Sequence, residues 1–185
     1  TDAADLNEAM IRRARELHRR DGLRFHAMDM RETGKRFDPG SFDAVSCMGN
    51  TLVHLSGPAE IREFLRDTGM VLRPGGVLIL QILNYGHILE LRIERLPDIV
   101  TEHVRFTRRY EYPDSGQRID FVTSVYDREK DEERSDSVRL YPLEKEELEG
   151  LLEEAGYRRP RYYGSFTEKP LENDDFPLIA GAEKA

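Results

Sequence analysis

The segment CMGNTLVHL, Cys47–Leu55, follows directly on the apolar run FDAVS. A strand-to-helix connection needs turn chemistry, and Gly49 supplies it. It does not need an amide at Asn50, a hydroxyl at Thr51 or an imidazole at His54, each of which can donate or accept hydrogen bonds. With Met48 beside them, these residue types suit the floor of a ligand site. Each also has a plainer reading. Asn50 tolerates a positive φ beside Gly49, Met48 packs in a core, and His54 flanks a helix and bonds to a backbone carbonyl.

Two acids carry the second signal. Asp5 ends the segment TDAAD immediately before a helix-like stretch, and Asp29 ends the strand-like stretch LRFHAMD. In an open α/β sheet, ligands collect at the carboxyl ends of the strands. A carboxylate at Asp5 can accept hydrogen bonds from both hydroxyls of a ribose, and one at Asp29 can receive an adenine amino group. Either acid could instead only cap the element after it. One helix and one strand separate the two, which makes the pair more telling than either acid alone.

The surrounding pattern is that of alternating strands and helices. Met10, Ile11, Ala14 and Leu17 recur at helical spacing, with Asn7 placed to cap the start and Gly22 to end the helix. A second helix follows Ser56-Gly57-Pro58 with the stripe Ile61, Phe64, Leu65, Thr68, Val71 and Leu72, and RPGG stops it. GVLILQIL is apolar almost throughout, as a strand covered on both faces should be. Such βα units predict a mostly parallel sheet. From about Thr101 to Tyr141 the pattern changes to three β-like stretches, with turn chemistry at PDSG and a charge run at REKDEE, which predicts an inserted antiparallel meander. EKEELEGLLEEAG resumes the helical pattern with Leu148, Leu151, Leu152 and Ala155 as its buried stripe, and RRPRYYGSF and FPLIAGAEK are the last two strands. The expected organisation is a core over 1–100, a β lid over 101–141 and the rest of the core over 142–185.

The totals narrow the function classes. A chain of 185 residues suits one domain with a single core of ordinary size. The formal charge of −8 argues against nucleic acid as a partner, since phosphate binding needs a basic footprint. No apolar run approaches the roughly 20 residues of a membrane-spanning helix, no signal peptide is visible, and one cysteine fits a reducing cytoplasm. The histidines and the cysteine form no metal-ligand spacing, and no Ser/His/Asp motif is present.

Four segments carry a family resemblance. DLNEAMIRRARE, FDAVSCMGNTLVHL, VLRPGGVLIL and EELEGLLEEAGYR resemble, in order and spacing, segments of the class I S-adenosylmethionine-dependent methyltransferases. Within that family the chain is most similar to the glycine and sarcosine N-methyltransferases, through Met48-Gly49-Asn50-Thr51 with His54-Leu55, and Asn84-Tyr85 with Ile88-Leu89. The resemblance implies a Rossmann-like fold, S-adenosylmethionine as cofactor, and methyl transfer to a small-molecule acceptor, an amine nitrogen first of all. It makes Asp5 the ribose acid, with Leu6 and Met10 near the adenine. Asp29 and Met30 fall at the adenine edge, Met48 at the cofactor's centre, and Thr51 and His54 at its methionine end. Asn50 and Tyr85 face the acceptor.

Two departures qualify it. The family's first strand, an acid followed by a glycine-rich loop, is not among these residues, so this 185-residue chain alone is expected to bind the cofactor weakly or not at all. Leu83 stands where the glycine enzymes carry a carboxylate-binding arginine, and a leucine cannot bind a carboxylate. Arg105, Arg109 or Arg118 of the meander could substitute, and Tyr110, Tyr112, Phe121 and Tyr126 could form a lid or only the meander's own core. A methyltransferase-fold remnant or regulatory subunit is the competing reading. A nicotinamide dehydrogenase is disfavoured by the meander and VLRPGG.

Overall fold

The computed structural model describes residues 1–113 and 117–185, so Asp114–Gly116 of the expected PDSG turn lie outside the described residues. The chain opens with β1 (Asp2–Asp5), α1 (Glu8–Leu17) and β2 (Arg24–Ala27). A 3-10 turn at Met30–Glu32 and the short helix α2 (Thr33–Arg36) lead to β3 (Phe42–Cys47). A second 3-10 turn at Thr51–His54 precedes α3 (Pro58–Val71), and β4 (Leu72–Leu83) runs directly into α4 (Tyr85–Glu90). Four strands follow: β5 (Arg95–Val100), β6 (Val104–Glu111), β7 (Ile119–Asp127) and β8 (Glu132–Leu140). The chain closes with α5 (Lys145–Glu154), β9 (Tyr157–Tyr163) and β10 (Pro177–Lys184).

These strands make three sheets. β1 and β2 pair in parallel, with Asp5 opposite Ala27. The central sheet has the order β3-β4-β10-β9, in which β3, β4 and β9 run one way and β10 runs against them. β5 to β8 form an antiparallel sheet in sequence order. That sheet is one strand larger than the sequence pattern indicates. The stretch Arg95–Val100 pairs with β6, although Pro97 and its mostly exposed side chains hide the alternation that marks a strand. Among the described residues β1 and β3 each pair on one side only, and Ala44 and Ser46 of β3 are exposed.

One apolar core spans the central and antiparallel sheets. It takes Ile61, Phe64 and Leu65 from α3, Leu78, Leu80 and Ile82 from β4, and Leu148, Leu151 and Leu152 from α5. Leu96, Tyr110, Ile119 and Leu140 from β5 to β8 join the same cluster, so the antiparallel sheet shares its core with the α/β part. The Tyr157 hydroxyl meets that of Thr68 at 2.8 Å inside the core.

The helix α1 departs from the expectation. Asn7 caps it as its type demands, accepting from the backbone N–H groups of Ala9 and Met10. The helix ends at Leu17, with His18 as the cap, before Gly22 is reached. Of its apolar stripe only Ile11 is buried, while Met10 and Leu17 are exposed. The segment that follows β2 meets α3 through polar contacts, where the Gly34 N–H donates to Asp67 Oδ2 at 3.2 Å and Arg31 pairs with Glu60, and through Met30, which packs against the core. Among the described residues no helix is long and apolar enough to cross a membrane.

Burial separates two substitutions cleanly. Ile61→Ala empties a fully buried position and costs about 2–5 kcal/mol in urea denaturation. Met10→Ala, at an exposed position, stays within about 0.5 kcal/mol of the parent protein.

Candidate active site

The loop after β3 is built around two consecutive residues in the left-handed region, Gly49 at φ 74° and Asn50 at φ 64°. A glycine adopts that region freely and an asparagine adopts it more readily than most residues. Both special positions are therefore real, and the plainer reading of Asn50 as a turn residue holds. It does not exhaust the residue. Asn50 Oδ1 accepts from the Leu83 backbone N–H at 3.0 Å, and Asn50 Nδ2 donates to the Tyr85 hydroxyl at 2.9 Å. The Asn50 N–H also donates to the Gln81 carbonyl at 3.1 Å. One side chain thus ties the end of β3 to the end of β4 and to the first residue of α4.

Tyr85 is completely buried, and burial pushes its hydroxyl up to about 12, with the Asn50 bond opposing the shift. It therefore stays protonated at neutral pH and serves as a fixed dipole, not as a base. Asn84 positions it from the other side. The Asn84 side-chain amide donates to the carbonyls of Asn173 at 3.1 Å and Asp175 at 3.0 Å, and its backbone N–H donates to Phe176 at 2.9 Å. That loop is held by Lys169, which pairs with Asp175 at 2.7 Å, and it passes so close to Gly164 that any Cβ there would collide with the Asp175 carboxylate.

The acids fall at the ends of neighbouring parallel strands. Asp5 ends β1, and the Met28 N–H donates to its carbonyl at 3.0 Å, which brings Asp29 alongside. The Asp5 carboxylate is exposed and uses Oδ1 to accept from the Asn7 N–H at 2.7 Å. Asp29 is more fully engaged. It accepts from the Arg31 backbone N–H and from the Arg31 guanidinium, which holds its carboxyl below the usual carboxylate range. Arg31 also reaches Glu60, whose carboxylate accepts from the Ser56 N–H at 2.7 Å. The cap reading thus describes Asp29 as it stands, and the adenine role would use lone pairs that the Arg31 fork leaves free.

Among the other candidates, Leu6 is 73% exposed, Met10 60% and Met48 37%. Core packing is therefore excluded for Leu6 and Met10 and largely so for Met48. Met30 packs against the core instead. The Thr51 hydroxyl donates to the Met48 carbonyl at 2.7 Å and so braces the loop. His54 is exposed, makes no hydrogen bond among the described residues, and is pushed down by partial desolvation, which favours its neutral form. Gln81 is a residue the sequence reading passed over. Its side-chain carbonyl accepts from the Gly49 N–H at 2.7 Å, and it is the one polar residue in GVLILQIL.

A model of a methyltransferase domain matches residues 1–76. The glycine/sarcosine N-methyltransferase of Aphanothece halophytica is 31% identical over 157 residues, covering 77% of this chain and 52% of the relative. A solved S-adenosylmethionine-dependent methyltransferase from Clostridium acetobutylicum superposes with a TM-score of 0.81 at 16% identity, over 100% of this chain and 75% of that one. The chain carries the fold of the S-adenosylmethionine-dependent methyltransferases and is similar to them in sequence. The structure of an amino pentose methyltransferase from Micromonospora echinaspora, with S-adenosylmethionine bound, matches at 25% identity and a TM-score of 0.67, over 100% of this chain and 73% of that one. This chain spans about half the length of the Aphanothece relative.

The Asn50–Tyr85 bond is testable as a coupled pair. Tyr85→Phe leaves the Asn50 amide without its acceptor and costs about 1–3 kcal/mol by chemical denaturation. A double-mutant cycle with Asn50→Ala gives a coupling of about 0.5–3 kcal/mol, whereas independent side chains would give additive losses.

Proposed function

We propose that this protein transfers the methyl group of S-adenosylmethionine to the nitrogen of a small-molecule amine. The observation that carries the reading is the Asn50–Tyr85 pair, fixed at the carboxyl ends of β3 and β4, where an α/β sheet places its ligands. The exposed apolar side chains of Leu6, Met10 and Met48 and the acid at Asp5 fit the adenosine half of the cofactor. An adenine is flat and apolar on its faces, and Leu6 and Met10 are side chains that would otherwise be left in water. Asp5 would hold the ribose hydroxyls, and Asp29 the adenine edge. Thr51 and His54 would meet the methionine end, Thr51 while bracing Met48. The relatives that are glycine/sarcosine N-methyltransferases support nitrogen as the accepting atom.

The cofactor supplies an activated methyl on a sulfonium, a good leaving group. What remains for the protein is alignment and desolvation. Asn50 and Tyr85 orient the acceptor so that its lone pair faces the methyl carbon. The new N–C bond forms as the C–S bond breaks, the electron pair leaves with sulfur, and the extra N–H proton passes to solvent. A neutral amine needs no obligatory base, and Tyr85, pushed up to about 12, offers none at neutral pH. His54 is neutral there and is free to accept a hydrogen bond.

Two substitutions in the full-length gene product separate the roles, read with labelled S-adenosylmethionine and by calorimetry. Asn50→Ala lowers turnover by about 100-fold while cofactor affinity changes little. Asp5→Ala weakens cofactor binding by about tenfold or more and leaves turnover at saturation largely intact. Equal effects on both quantities from both variants would contradict the assignment.

A further inference from the structure

Beyond its last turn, α1 leads into a concentration of positive charge that the rest of the fold does not answer. The helix stops at Leu17, and His18, Arg19 and Arg20 continue as irregular chain to the turn at Asp21-Gly22. An open cavity of about 480 Å³ lies between this segment and the start of β2. Arg15, His18, Arg19, Arg20 and Arg24 line it, with Asp21 as its single carboxylate. The chain as a whole carries 36 acids against 28 bases and a formal charge of −8, so the grouping runs against the composition.

Two of the guanidinium groups are fixed in place. Arg15 donates from Nε and Nη2 to the Phe25 carbonyl, at 3.2 and 2.5 Å. Arg24 donates from Nε and Nη2 to the two Asp2 carboxylate oxygens, each at 2.9 Å. Each keeps Nη1 free, with its orientation already set. Arg19 and Arg20 are exposed and make no hydrogen bond or ion pair among the described residues. The helix dipole favours cations in the last turn, which accounts for Arg15 and His18. It does not account for Arg19, Arg20 or Arg24, which lie beyond the helix. Like charges around one cavity repel, and a bound anion removes the repulsion. Guanidinium forks match phosphate oxygens in particular, and the volume is that of a small-molecule site. A long polyanion fits less well, because past this one cavity its charges meet a net negative protein.

We propose that this cavity binds a compact polyphosphate group, free or carried on a nucleoside. It lies at the amino end of β2, where Arg24 begins the strand. Asp5 stands at the carboxyl end of β1, and α1, with its 10 residues, separates the two by about 15 Å. The cavity is therefore a second site, apart from the Asn50–Tyr85 pair, and it stands whether or not the methyl-transfer reading holds.

The test is calorimetry on the full-length protein with sodium tripolyphosphate, ATP and sodium sulfate, at ionic strength held to about 0.15 M with sodium chloride. Tripolyphosphate binds one to one with a Kd of about 100 μM or tighter, and sulfate binds at least about tenfold more weakly. Arg19→Gln with Arg20→Gln removes no contact within the fold, so Tm is unchanged while tripolyphosphate affinity falls about tenfold or more. Arg12→Gln with Arg13→Gln makes the same charge change on α1 outside the cavity and shifts the affinity less than about threefold. Arg19→Lys with Arg20→Lys restores part of the affinity, because it keeps the charge but loses the fork. ATP binding tighter than tripolyphosphate assigns the site to a nucleotide, and equal or weaker ATP binding assigns it to the free group. Absence of binding by both, or equal losses from the inner and outer pairs of substitutions, overturns the proposal. A single-stranded oligonucleotide that binds more tightly than tripolyphosphate overturns it too, since the ligand is then an extended polyanion.

Discussion

The interaction on which the site depends is the Asn50 amide, held between the Leu83 backbone and the Tyr85 hydroxyl. β3 and β4 are parallel neighbours, and nothing in their pairing fixes what the chain does beyond their ends. Asn50 does so by spending both ends of its side chain on the continuation of the neighbouring strand. The left-handed backbone at Gly49 and Asn50 turns the loop back to make that reach possible. Gln81 adds a second tie from the strand to the loop through the Gly49 N–H. A loop braced in this way can present Met48 and His54 without collapsing onto the core.

Tyr85 passes the constraint onward. It is buried between the loop and the antiparallel sheet, so Tyr110 of β6 packs against the same point that Asn50 secures. The antiparallel sheet is consequently not an appendage, because its residues Leu96, Tyr110, Ile119 and Leu140 complete the central core. The loop of Asn173 to Phe176 closes the remaining side through Asn84. Three segments far apart in sequence therefore meet around one tyrosine.

The β1-α1-β2 unit follows a different logic. Its helix buries little beyond Ile11, and the segment after β2 is tied to α3 by Arg31 with Glu60 and Gly34 with Asp67 while Met30 packs against the core. Leu6 and Met10 remain exposed beside the carboxyl end of β1. Apolar side chains at helical spacing usually mean a core face, and the sequence pattern alone places Met10 there. In the folded protein they border the candidate cofactor cleft. The rule fails at a place where a ligand, not the protein, would supply the other surface.

What the sequence by itself determined is whatever local chemistry decides. The Asn7 cap, the stripe of α3 from Ile61 to Val71, the buried run of β4 and the helix α5 stand as the pattern indicates, because capping and periodic burial are properties of neighbouring residues. The positive φ at Gly49 and Asn50 is of the same kind. The strand β5 was not legible, since Pro97 and an exposed face conceal it and only pairing with β6 reveals it. The tie from Asn50 to the Leu83 backbone and the Tyr85 hydroxyl was decided by tertiary structure alone. Which donors find partners depends on residues tens of positions away, and no spacing along the chain records that.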